Sequence, residues 1–86
     1  MSDLDTRFQA AATAAQALPD RPDNDILLEM YGLYKQATEG DVHGDKPGMF
    51  DFKASAKYEA WQRLKGTDSD SAKQRYIDLV ARLQDH

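Results

Sequence analysis

Cysteine is absent from the 86 residues, which excludes a disulfide framework, a thiol nucleophile, a thiolate metal site and lipidation at cysteine. Histidine is almost as scarce. His43 sits in a glycine-rich stretch and His86 at the chain end, with no second ligand at metal spacing, so both read as solvated and no metal site is expected. Long apolar runs are also missing: the alanine-rich stretch from Ala10 to Ala17 is interrupted by Thr13 and Gln16 and falls far short of the roughly twenty apolar residues that cross a bilayer. The acidic start, Met1-Ser2-Asp3-Leu4-Asp5, precedes nothing that resembles a basic region followed by an apolar signal core. Neither a membrane span nor export is expected, and the expected location is cytoplasmic. No glycine-rich phosphate loop follows a strand, which disfavours ATP and NAD. Nor does any residue pair suggest an activated nucleophile or water, so no catalytic residue is assigned and the chain reads as something other than an enzyme.

What remains is a short chain with 41% hydrophobic and 30% charged residues, which suits one small domain spanning residues 1–86 with little stability in reserve. Its net charge of -4 argues against wholesale binding to nucleic acid or anionic lipid, because phosphate contacts demand concentrated lysine and arginine. The average conceals a gradient. Met1 to Met30 holds two basic residues against six acidic, whereas Lys46 to Lys65 holds five basic against two acidic, so the second region is suited to an anion.

Helical periodicity recurs in four segments and strands find no support. In the first, Leu4, Phe8, Ala11, Ala15 and Leu18 recur at intervals of three and four, with Ser2 placed to cap and Pro19 as the stop. Asp23 is expected to cap the second, in which Leu27, Met30, Tyr31, Tyr34 and Thr38 form one stripe with Leu33 opposite, and Gly40 ends it. The stretch from Gly40 to Phe50 has three glycines, one proline and no period, and reads as a long loop pinned by Met49 and Phe50. Asp51 is a cap for the third segment, which carries Ala54, Tyr58, Trp61 and Leu64 before Gly66. The fourth opens with Thr67-Asp68-Ser69-Asp70 and runs through Ala72, Tyr76, Leu79, Val80 and Leu83. Four amphipathic helices imply an all-α bundle.

Tyr31, Tyr34 and Lys35 stand at i, i+3 and i+4, so two phenols and an ammonium share a helix face. Lys35 reads either as a side chain snorkelling over apolar surface or as a cation reaching into a groove. Lys53 and Lys57, four apart, build a second basic ridge. Tyr76 and Phe8 read as core unless the bundle leaves a cleft between the last and first helices, and Trp61 reads as core. Phenols, lysines and apolar flanks together suit a ligand with a phosphate and a hydrocarbon part.

Two stretches then carry a resemblance. YGLYKQATEGD, residues 31–41, and KPGMFDFKASAKYEAWQRLKG, residues 46–66, closely resemble the signatures of the acyl-CoA-binding protein family. Phe8 and the Tyr-Ile-Asp at Tyr76 to Asp78 fit the same pattern in order and spacing, so the likeness covers essentially the whole chain. It implies an antiparallel four-helix bundle of up-down-down-up topology that binds medium- to long-chain fatty acyl-CoA esters without altering them, with no cofactor beyond that ligand. By the same resemblance Tyr31, Lys35 and Lys57 contact the 3'-phosphate of the CoA ribose and Tyr34 packs against the adenine. Tyr76 lines the site, Lys53 adds positive charge and Phe8 forms part of an apolar wall. Gln16 stands where many relatives carry lysine, and Tyr58 where tryptophan is common. The expected role is a monomeric carrier and pool-former serving acyl-CoA-using enzymes; the alternative is a helical protein-interaction module gripping a partner helix through Tyr31 and Tyr34.

Overall fold

In the computed structural model, which describes residues 2–85, the chain is all helical apart from its connectors. Helix α1 spans Asp3–Ala15, α2 Asn24–Glu39, α3 Phe52–Gln62 and α4 Ser69–Gln84. Three of the four starts are set by side-chain caps. Ser2 Oγ accepts from the Asp5 amide at 3.1 Å, Asp51 from Ala54 at 3.1 Å and Asp68 from Ser71 at 2.9 Å, each satisfying an amide that has no partner inside its helix. Asp23 occupies the same position before α2, yet its side chain makes no such bond: the preceding Pro22 and an extended ψ of 156° start the helix without it. Helix α1 stops at Ala15, earlier than Pro19 requires, and Leu18 lies beyond it.

The main core joins three helices. Phe8 and Ala11 of α1, Met30, Leu33 and Ala37 of α2, and Ala72, Tyr76, Leu79 and Val80 of α4 form one buried cluster. Leu33 is 0% exposed, so the second helix turns the Met30-Leu33-Ala37 stripe inward rather than the stripe through Tyr31 and Tyr34. Neighbouring pairs run α1 on α4, α4 on α2 and α2 on α3, while the backbones of α1 and α2 stay apart among the described residues. The result is a slab of 37 × 29 × 15 Å whose radius of gyration, 13.2 Å, exceeds the about 12 Å typical of a chain this long. A chain of helices laid side by side leaves a crevice wherever two of them splay.

Helix α3 sits outside the main cluster and is held by different means. Trp61 is buried, and its indole N–H donates to the Gly40 carbonyl at 2.8 Å. The loop from Gly40 to Phe50 is tied down at its start: the Asp41 carboxylate accepts from Gln36 Nε2 at 2.9 Å and from the Gly66 amide at 2.8 Å, joining the end of α2 to the turn after α3. Gln36, almost fully buried, also donates to the Thr67 carbonyl at 2.8 Å. Met49 and Phe50, expected to pin this loop, are instead 76% and 85% exposed. Polar bonds do that work. No described helix is long and apolar enough to cross a membrane.

These bonds give the fold an acid limit. The Asp41 carboxyl is held below its ordinary 3.8 by the Gly66 amide and then by Gln36, Asp68 by Ser71, and Asp5 by Lys73. A carboxylate with a depressed native pKa contributes stability that is complete above the unfolded value and is lost as pH falls through the native one. Urea midpoints are therefore expected to hold between pH 7 and 5 and to drop below about pH 4. Asp41→Ala should lower the neutral-pH midpoint and flatten that drop; an unchanged acid slope would separate Asp41 from it.

Candidate functional site

The stripe Leu27-Met30-Tyr31-Tyr34 faces the gap between α1 and α2, at spacings i, i+3, i+4 and i+7. Ala12 and Ala15 of α1, with Gln16 just past its end, form the opposite wall and Tyr76 of α4 the floor of an open crevice of about 320 Å³. Small side chains on α1 keep this space open. Phe8 lies beneath it, 2% exposed: its ring stacks on Tyr34 at 5.5 Å between centroids and meets Tyr76 edge-on at 5.3 Å. These aromatic contacts hold the Tyr34 ring, which remains 40% exposed, as a flat face at the mouth of the gap. Burial, with Tyr34 adding to it, pushes the Tyr76 phenol above its usual range, so it is neutral and a hydrogen-bond donor at physiological pH.

A second chamber of about 310 Å³ opens between α2 and α3 and shares Leu27 and Tyr31 with the first. Leu28 and Ala56 add apolar surface, while Arg21, Lys53 and Lys57 bring three cations and no lining residue is acidic. Lys57 Nζ stands 5.3 Å from the Tyr31 ring centroid, a cation–π contact that orients the ammonium over the wall the chambers share. A phenol ring thus separates an aromatic chamber from a cationic one with apolar sides. A wider void, about 580 Å³, lies elsewhere, where α2, the end of α3 and α4 meet, and its lining includes Asp25, Glu29, Arg63 and Arg75. Mixed charge makes it a poor receptacle for hydrocarbon.

Among the expected site residues, Phe8, Tyr34 and Tyr76 come together at the first chamber, and Tyr31, Lys53 and Lys57 at the second. Lys35 stands apart, lining neither. It pairs with Glu39 one turn on and lies 4.9 Å from the Trp61 ring centroid, and the Glu39 carboxylate raises its pKa. Sequence reasoning passed over Arg21, Asn24, Leu28 and Ala56. The signal for the last three was present, since Asn24, Leu28 and Tyr31 share a face of α2, and Ala56 lies between Lys53 and Lys57. Arg21 sits in a connector and carries no period. His43 pairs with Glu39 at 3.3 Å and abuts Trp61, whereas His86 lies outside the described residues. No group of three metal-ligating side chains occurs among the described residues.

A family model described as Acyl CoA binding protein matches residues 5–80. The chain belongs to that family. It is 49% identical over 76 residues to the acyl-CoA-binding protein of Saccharomyces cerevisiae, covering 88% of this chain and 87% of that one. To the acyl-CoA-binding protein homolog 1 of Caenorhabditis elegans it is 47% identical, covering 88% of each. The crystal structure of Oryza sativa acyl-CoA-binding protein 2 superposes with a TM-score of 0.91 at 39% identity, over 95% of this chain and 91% of that chain. The all-α four-helix fold is therefore that of the acyl-CoA-binding proteins. Gln16, expected to depart from the family pattern, stands on the wall of the first chamber.

Proposed function

We propose that this chain binds medium- to long-chain fatty acyl-CoA esters non-covalently, leaves the thioester intact, and serves as a carrier and pool-former for acyl-CoA-using enzymes. The observation that carries this reading is the pair of chambers meeting at Tyr31, one walled by aromatic rings and the other apolar with a cationic rim. Tyr34 stacks on the adenine and Tyr76 donates from the floor, while Phe8 supports both rings from below. Tyr31, Lys57 and Lys35 take the 3'-phosphate, Lys53 adds positive charge, and the apolar sides receive the acyl chain. Lys35 must leave Glu39 to reach a phosphate. An exposed ion pair is worth about 0–1 kcal/mol against roughly 1.5–3 for a charge-assisted hydrogen bond, so the exchange favours the ligand.

The acyl chain supplies the larger gross term. Full burial of sixteen carbons is worth up to about 12 kcal/mol at roughly 0.8 per methylene, before the costs of association and ordering. An open crevice recovers only part of it. The chain is read as one domain over residues 1–86, monomeric and cytoplasmic. The protein-interaction alternative is not favoured, because the matching family model and the similar relatives are acyl-CoA-binding proteins.

Calorimetric titration with palmitoyl-CoA, free CoA and palmitate tests the reading. Palmitoyl-CoA is expected to bind most tightly, CoA alone at least tenfold more weakly, and palmitate least, since it lacks the phosphates. No heat with micromolar palmitoyl-CoA, or equal affinity for palmitate, would overturn it.

A further inference from the structure

Glu39 stands four residues after Lys35 and four before His43, and its two carboxylate oxygens are divided between them. Oε2 accepts from Lys35 Nζ, while Oε1 lies 3.3 Å from His43 Nε2. Residues four apart on a helix share a face, which accounts for the first contact. The second depends on the loop. The Trp61 indole N–H, bonded to the Gly40 carbonyl, keeps the start of that loop against α2, so His43 reaches a helix to which it does not belong. Trp61 also backs both partners: Lys35 Nζ lies 4.9 Å from its ring centroid, and the His43 ring meets it edge-on at 5.1 Å. One carboxylate thus holds a lysine assigned to the ligand and touches the side-chain type whose charge changes near neutral pH.

We propose that Glu39 is a positioning residue for the phosphate site, an internal anion that competes with the 3'-phosphate for Lys35, and that protonation of His43 weakens this competition. The inference rests on the acyl-CoA reading above. With His43 neutral, the departure of Lys35 toward a phosphate leaves the Glu39 carboxylate without a cation. With His43 charged, an imidazolium remains beside Oε1 when Lys35 leaves, so the exchange is easier. Ligand binding and protonation of His43 therefore favour each other, and the chain gains affinity, relative to one lacking the imidazole, as pH falls from 8 to 6. Lys35 and His43 are the charged groups that act on Glu39, and Tyr31 and Tyr34 join Glu39 in acting on Lys35. Elsewhere around the pair, Asp41 is committed to Gln36 and Gly66, and Lys57 of α3 lies over Tyr31. Of these side-chain types, histidine is the one that ordinarily changes charge between pH 6 and 8.

Calorimetric titration with palmitoyl-CoA at pH 8 and pH 6 tests this in the parent, Glu39→Gln, His43→Gln, Lys35→Ala and the double variant Lys35→Ala, Glu39→Gln. At pH 8, Glu39→Gln is expected to bind about two- to fivefold more tightly than the parent, the range for releasing an exposed ion pair. That gain should vanish in the Lys35→Ala background, because Glu39 acts through Lys35. The ratio of affinity at pH 6 to affinity at pH 8 should be at least twofold larger in the parent than in His43→Gln or Glu39→Gln. A phosphate monoester itself titrates near pH 6, and comparing ratios between variants cancels its contribution. Equal affinity of parent and Glu39→Gln, a gain that persists without Lys35, or equal pH ratios in parent and His43→Gln would overturn the role of Glu39 while parent binding upholds the acyl-CoA reading. A parent that gives no heat with palmitoyl-CoA would overturn both.

Discussion

Lys57→Ala is expected to weaken palmitoyl-CoA binding at least tenfold while moving the melting temperature by less than about 8 °C. Both halves follow from where the side chain stands. Lys57 is an exposed residue of α3 whose ammonium rests 5.3 Å from the Tyr31 ring centroid, and it has no carboxylate partner among the described ion pairs. Removing an exposed cation–π contact costs about 0.5–1 kcal/mol, a shift of a few degrees in a domain this small. A phosphate seated at the same place loses a charge-assisted hydrogen bond of roughly 1.5–3 kcal/mol, and every 1.4 kcal/mol is a factor of ten. Titration of parent and variant under identical salt decides the matter. Equal affinities would remove Lys57 from the phosphate site, and a large fall in melting temperature would mean that it holds α3 in place.

The local features of this chain were legible because they depend on neighbours in sequence. Ser2, Asp51 and Asp68 cap helices through amides three residues away, and the four periodic segments became four helices. The orientation of α2 was not legible. Leu27, Met30, Tyr31 and Tyr34 make a good apolar stripe and so read as the core face, but they line a crevice, while Leu33 on the other flank is fully buried. A helix with two apolar flanks does not announce which one the rest of the chain will cover. That choice is made by α4, which meets the Leu33 flank, and by an α1 too distant to close over the Tyr31 flank. Met49 and Phe50 failed as predicted loop anchors for a related reason: their apolar character says that burial would be favourable, not that a neighbour exists to provide it. Lys35 and Glu39, four apart, were a readable pair whose consequence for the site needed coordinates.

Gly32 carried no expectation in the sequence, although a glycine inside a helix costs roughly 1 kcal/mol relative to alanine and invites a reason. The reason is the approach of α3. A Cβ at position 32 would fall 2.7 Å from the Ala60 carbonyl oxygen, 3.0 Å from its carbon and 3.2 Å from Leu64 Cδ1. The first two are backbone atoms, so no rotamer change relieves the clash and α3 itself must move. It can do so at limited cost, because α3 packs on α2 alone and lies outside the main buried cluster. Gly32→Ala therefore sets a helix-propensity gain of about 1 kcal/mol against an overpacking cost of about 1–3, and the melting temperature is expected to fall by several degrees. Binding should suffer more than stability. Lys53 and Lys57 ride on α3 while Tyr31 belongs to α2, so pushing the helices apart separates the cations from the wall they share and opens the apolar chamber to water. A palmitoyl-CoA affinity at least tenfold below the parent's, in a variant that retains its helical circular dichroism, is the expected result. A raised melting temperature with unaltered affinity would show that the two helices do not need this close approach.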